Sequence, residues 1–380
     1  MIIRTITVFD DITVDNYKDK LKKAALFLKE KEAFLNLNGY ELQTKRVASS
    51  LFDSVRIALK ANDYLSFFKD VNDLCKDLGI TFFNPGTLDI DIHKRLVDKI
   101  PEILSIAHTI NASLRISRNE KDLTMDNCVI AADIFKKIVE VNYQGTFRFS
   151  INANCPELIP FYPVSYYKGK DPRYAVGIQL ATLVNKELDA TLSFDEIFVD
   201  LFKKIDSHLL KFENHIINLS DPYTYFGIDT SFAPMVEEKD SIGAAYEKIL
   251  GNKIGSLGTL SVTAKFTEIM KKLSVMKTGY CGIMLAVLED SVLAKRFSDG
   301  DLDLQKLMFY STVCACGLDT IPVSSEVSRV DIANIYHDIN ILSFKHNKPL
   351  TARLMSLPNS KPGVMTTFES PYICNTKLLI

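Results

Sequence analysis

From Thr146 to Asn154 polar and apolar residues alternate without a break. Thr146, Arg148, Ser150, Asn152 and Asn154 fall on one face of an extended strand, and Phe147, Phe149, Ile151 and Ala153 on the other. A solvated edge strand would show the same alternation. The residues that follow are Pro156, Pro160-Phe161-Tyr162-Pro163 and Tyr166-Tyr167, an aromatic loop rather than a charged surface turn. The polar face is therefore read as the lining of a cavity. Asn111 to Ser117 repeats the pattern, with Asn111, Ser113, Arg115 and Ser117 alternating with Ala112, Leu114 and Ile116.

The same periodicities predict the remaining elements. Strands are expected over 2–9, 43–47, 80–83, 223–229, 283–288, 318–323 and 350–357. Helices are expected over 15–34, 63–78, 91–106, 124–141, 175–186, 194–212, 241–250, 259–273, 302–314 and 330–341. Thr124 is placed to cap its helix, and Gly79 to end the helix over 63–78. The run Ile283-Met284-Leu285-Ala286-Val287-Leu288 is apolar throughout, as in a parallel strand covered on both faces. Strands and helices alternate, which argues for an α/β fold with parallel strands. No linker, repeat or low-complexity segment divides residues 1–380, so one domain is expected, and a closed barrel suits it better than two halves.

Composition narrows the function. With 380 residues, 47% of them hydrophobic, the chain can bury a large core. A net charge of −2 gives no basic stripe for nucleic acid, and no apolar run approaches the ~20 residues that span a bilayer. The first residues enter a strand without a basic, then apolar leader, so a cytoplasmic location is expected. Seven scattered cysteines fit a reducing compartment. Cys314-Ala315-Cys316 is neither a redox pair nor a zinc knuckle, and a buried structural role suits both thiols better than catalysis. Gly255 and Gly258 could form an anion-cradling turn, but neither nucleotide fingerprint is present. The sequence names no cofactor or metal.

Several strands end in acids: Asp229, Glu289 with Asp290, and Asp319. Loops after parallel strands build active sites, so these acids are candidates for proton transfer or for holding a cation. An acid after a strand also caps the next helix. Arg4, Arg115, Arg148 and Arg353 lie inside strand-like stretches, where each needs an acid or an anionic ligand as partner.

An ordered set of short motifs supports a resemblance. It comprises Ile3-Arg4-Thr5-Ile6-Thr7, Gln43-Thr44-Lys45-Arg46, Phe147-Arg148-Phe149, Asn154 with Pro160-Phe161-Tyr162-Pro163, and Phe226-Gly227-Ile228-Asp229-Thr230-Ser231. Gly258-Thr259, Gly279-Tyr280-Cys281-Gly282, Leu285 with Val287-Leu288-Glu289-Asp290, and Cys314 with Gly317-Leu318-Asp319 complete it. The chain resembles the domain of unknown function 711 family, the UPF0210 proteins, and its archaeal branch in particular. The resemblance implies a pyruvate formate-lyase-like α/β barrel and a homodimer, and carries no established activity. Where the family often has a histidine, this chain has Tyr167, and Gly363 lacks the setting of a radical-bearing glycine.

Two functions follow as expectations. In the first, a cytoplasmic enzyme acts on a small anionic metabolite. Asp229, Glu289 and Asp319 are its catalytic candidates, and Arg4, Arg148, Asn154 and Ser231 orient the substrate. In the second, the barrel binds a small ligand or acts as a scaffold without catalysis.

Overall fold

The computed structural model describes residues 2–217 and 221–379. Among the described residues ten strands carry the fold: β1 (Ile2–Phe9), β2 (Glu41–Ala48), β3 (Phe82–Asn84), β4 (Thr87–Asp89), β5 (Ala112–Arg115), β6 (Phe149–Ala153), β7 (Arg173–Ile178), β8 (Thr224–Asp229), β9 (Gly317–Pro322) and β10 (Leu350–Met355). They form two five-stranded sheets, ordered β3-β2-β1-β7-β8 and β4-β5-β6-β10-β9. Neighbours run parallel except at β1/β7 and β6/β10.

The α/β class holds, and most neighbours are parallel. The ladders draw two sheets rather than the single closed barrel expected. Isolated bridges span the gaps between them. Phe83↔Ile110 links the β3 and β5 sides, and Ile228↔Lys277, Phe232↔Ile283 and Ala286↔Asp319 step from β8 to β9. One contiguous apolar cluster runs from Ile3 to Leu354 and draws on both sheets.

Several elements differ from the sequence expectation. Residues 175–178, expected to start a helix, belong to β7 between β1 and β8, and the helix begins only at Ala181. The cause is tertiary. Gly177 lies so close to its neighbours that a Cβ there would sit 2.9 Å from Thr5 and 3.0 Å from Phe161. The stretch that opens at Thr146 starts as a 3-10 turn, Tyr143–Arg148, and is extended only from Phe149. The apolar run 283–288 makes isolated bridges in place of a ladder and tightens into a 3-10 turn at Val287–Glu289.

Helices cover the outside. The Thr124 hydroxyl accepts the Asn127 N–H and caps Met125–Asn142, and Ser328 caps Arg329–His346 in the same way. The helix expected over 91–106 is broken into Lys94–Val97 and Ile100–Ile106. Among the described residues no helix is long and apolar enough to cross a membrane.

Candidate functional site

A cavity of about 60 Å³ lies where the two sheets face each other. β1 contributes Arg4, β2 Arg46, β3 Phe82, β9 Asp319, and β10 Thr351 and Arg353. The loop after β6 adds Phe161, Tyr162, Pro163 and Val164, and the segment before β9 adds Tyr280, Met284, Glu289 and Cys316. A single water needs roughly 10–15 Å³ on this measure, so the space holds a few waters or one small polar group. It is far below the ~300–1,000 Å³ that encloses a drug-sized ligand.

Charge organises this wall. Glu289 is bridged by two arginines: Oε2 accepts Arg4 Nη2 at 2.6 Å and Oε1 accepts Arg353 Nη2 at 2.5 Å. Arg353 also donates from Nε to Asp319 Oδ1 at 2.5 Å and from Nη1 to the Phe147 carbonyl at 3.3 Å. Its guanidinium lies 5.0 Å from the Phe147 ring centre. Burial pulls the Arg353 pKa down, but Asp319 and Glu289 outweigh it and hold the group more firmly protonated than usual. Burial raises the Asp319 carboxyl above the ordinary range. Arg353 opposes that rise and the nearby Glu289 adds to it. Asp319 is the more open of the two acids, at 15% side-chain exposure against 7% for Glu289.

Arg46 stands apart. It is buried, its Nε donates to Thr44 Oγ1 at 3.0 Å, and its guanidinium lies 5.0 Å from the Tyr162 ring and 5.6 Å from that of Phe82. Among the described residues it forms no ion pair with any carboxylate. Burial, and then the neighbouring Arg4 charge, lower its pKa to about 9, which leaves it a cation at neutral pH. Three guanidinium groups thus face two carboxylates across this cavity.

Glu289, Asp319 and Arg4 are brought together here, with Arg353. The other sequence candidates lie elsewhere. Asp229 is fully buried and gathers the next loop: Oδ1 accepts Ser231 Oγ at 2.6 Å and the N–H groups of Ser231 and Cys281 at 3.0 Å, while Oδ2 accepts Tyr280 N–H at 2.8 Å. Burial raises it to about 6 against the pull of those donors. Ser231 is spent on Asp229. Both sit behind the wall that Tyr280 presents to the cavity. Arg148 points away from the cavity. It donates to the carbonyls of Ala107 and Ile110 at 2.8 Å and of Leu104 at 2.5 Å, tying down the end of the helix Ile100–Ile106. Asn154 is exposed, left-handed at φ 57°, and lines a different cleft. The polar face of β6 is buried, yet its side chains serve internal bonds, such as Asn152 Nδ2 to Thr87 Oγ1 at 3.1 Å.

Sequence reasoning did not single out Arg46 as a site residue. Its signal was an arginine at the inner end of β2, directly before the apolar Val47-Ala48. Among the described residues no three His, Cys, Asp or Glu side chains are grouped to hold a metal ion.

Comparison with known proteins adds a family. A family model described as "Uncharacterised ACR (DUF711)" matches residues 1–369, and the chain belongs to that family. A UPF0210 protein of Methanococcoides burtonii is 26% identical, aligned over 96% of this chain and 87% of its own length. Others are one from Clostridium perfringens strain 13, at 24% over 96% and 88%, and one from Pyrobaculum aerophilum, at 27% over 94% and 82%. These relatives come from bacteria and archaea alike and assign no branch.

Proposed function

We propose that this family member binds the anionic end of a small metabolite in the cavity between its sheets, with Arg46 as the anchor. The supporting observation is a buried guanidinium that, among the described residues, forms no ion pair with a carboxylate. A buried cation without a partner is costly, and a ligand carboxylate or phosphoryl oxygen is the natural counter-charge. The flanking Phe82 and Tyr162 rings fix the guanidinium plane and so preorganise it. With about 60 Å³ available, only a small headgroup enters while the rest of the ligand stays outside.

The reading includes catalysis. Asp319 is the acid placed for proton transfer, since it is the more open carboxylate and burial raises its pKa above the ordinary value. Glu289 holds Arg4 and Arg353 in place and is a positioning residue. Glycyl radical chemistry is not part of the proposal: Gly363 sits in an exposed turn and is not on the cavity wall. A pyruvate formate-lyase-like barrel is the architecture we favour. The isolated bridges at both sheet edges support a ring of strands around the cavity. A cytoplasmic homodimer is carried over from the family resemblance and the cysteine usage.

One observation favours the non-catalytic alternative: both cavity carboxylates are already engaged by arginines. Mass spectrometry of metabolites that copurify with the wild-type protein and with Arg46→Ala tests the binding claim. An anion retained by the wild type and lost in the variant is expected. Equal recovery from both would remove Arg46 as the anchor. Turnover of that anion by the wild type and not by Asp319→Asn would separate an enzyme from a binding protein.

A further inference from the structure

A second cavity, of about 430 Å³, opens at the carboxyl ends of the parallel strands β5 and β6. Arg115 closes β5 and Asn154 follows β6. Ligands of α/β proteins commonly settle outside the carboxyl ends of parallel strands. This cleft is wet and open, unlike the small cavity between the sheets. Three of its lining residues are cations, Arg115, Arg118 and Lys168, and one is an acid, Glu157.

The three cations are not equivalent. Arg118 Nε is held by Asp89 Oδ2 at 2.7 Å, and Lys168 Nζ by Asp53 Oδ2 at 3.0 Å. Each keeps N–H groups free of those contacts. Arg115 forms no ion pair among the described residues. It is half-buried, its guanidinium lies 5.5 Å from the Tyr166 ring centre, and Nη2 donates to the Tyr166 hydroxyl at 3.2 Å. Tyr166 in turn donates to the Cys155 carbonyl at 3.2 Å, so the platform under the guanidinium is fixed. A rigid guanidinium without an acid is the arrangement that recognises a phosphoryl group, and the remaining N–H donors of the two acid-paired cations on the rim add to it.

We propose that this cleft binds a small phosphomonoester carrying hydroxyl groups. Arg115 is the lining cation without an acid among the described residues, and the N–H groups that Arg118 and Lys168 keep beyond their contacts with Asp89 and Asp53 suit the several acceptor oxygens of a phosphomonoester. The space is several times that between the sheets, so a bare phosphate does not fill it. The Glu157 carboxylate, which accepts the Lys168 N–H at 2.8 Å, and the Asn154 amide offer partners for ligand hydroxyls. The site is separate from the Arg46 cavity and does not depend on it.

Isothermal titration calorimetry of the full chain at fixed ionic strength tests this with two probes, glycerol 3-phosphate and inorganic phosphate. Glycerol 3-phosphate should bind, and more tightly than inorganic phosphate. Arg115→Ala should weaken it about tenfold or more, the cost of one charge-assisted contact. Arg118→Ala, at an exposed side chain, should weaken it less, and Lys265→Ala, far along the chain on another surface helix, should leave it unchanged. Arg118→Ala also keeps the test valid if Arg115→Ala fails to fold. No binding by the wild type, or unaltered binding in both arginine variants, would overturn the proposal. Binding lost in Arg46→Ala but kept in Arg115→Ala would place the ester between the sheets and overturn it too. Inorganic phosphate binding as tightly as the ester would refute the hydroxyl contacts.

Discussion

The Glu289 carboxylate lies 2.6 Å from the Arg4 guanidinium, joining the first strand to a loop 285 residues later. Its other oxygen takes Arg353 from β10, so one acid ties both sheets to the cavity floor. Neutralising it leaves the partly buried Arg4 without an acid and Arg353 with Asp319 alone. Glu289→Gln should therefore lower unfolding stability by roughly 3–5 kcal/mol, read from urea denaturation. A loss below about 1 kcal/mol would mean that the two arginines have other partners in solution.

Asp229 predicts a pH dependence. Burial raises its carboxyl to about 6, above the ordinary 3.8 that it regains on unfolding. Between those values the native state holds a proton that the unfolded chain has released. Stability from this group therefore falls as pH rises through that window, and the full cost stands above about pH 6. Asp229→Asn should flatten that slope. It should also destabilise the fold by roughly 1–3 kcal/mol at neutral pH, because the amide nitrogen must face an N–H donor. Denaturation series between pH 4 and 7 on both proteins check the sign. Asp290, also raised to about 6 by burial, adds a slope of the same direction.

These two acids show where sequence reading stops. The sequence reading set Asp229 and Asp319 alike at strand ends, but only Asp229 closes its strand, β8, while Asp319 is the third residue of β9. What separates them is Gly279, at φ +82°, where a Cβ would stand 2.1 Å from Asp229 Oδ2. That close approach lets the Tyr280 and Cys281 N–H groups enclose Asp229, while Asp319 stays beside Arg353. Alternation found β5 and, from Phe149 onward, β6, and strand-like local composition placed β1, β2, β8, β9 and β10, because these signals lie within each strand. It could not find Arg46, whose role depends on β2 lying beside β1 with Arg46 opposite Thr7. Nor could it see that Arg148 leaves the strand pattern one residue before β6 begins. The carbonyls it serves lie about forty residues earlier in the chain, outside any local window.

The thiols should be slow to react in the folded protein. Six of the seven cysteines are buried, and burial pushes Cys155 and Cys281 up to about 12. Cys374 is half-buried and raised to about 11. A maleimide at neutral pH should label Cys374 first, with the other six reacting only when denaturant is added. Rapid native labelling of Cys314 or Cys316, followed by peptide mass spectrometry, would show a thiol at work near the cavity.

Arg148 and Arg46 give the sharpest contrast, since both are buried arginines on strand-adjacent positions. Arg148 spends its donors on three backbone carbonyls, so Arg148→Ala leaves those acceptors without partners. It should cost at least about 2 kcal/mol in the ligand-free protein. It should leave any anion-dependent rise in melting temperature intact. Arg46 has no acid to leave behind, and its removal relieves an unpaired buried charge while losing contact with two rings. Those effects oppose each other, so Arg46→Ala should stay within about 1 kcal/mol of the wild type without ligand. It should abolish stabilisation by the anion that copurifies. Thermal and urea unfolding of both variants, with and without that anion, make a two-by-two test. If Arg148→Ala were the variant that lost the anion effect, the ligand would lie against the helix end at Ala107 and not between the sheets.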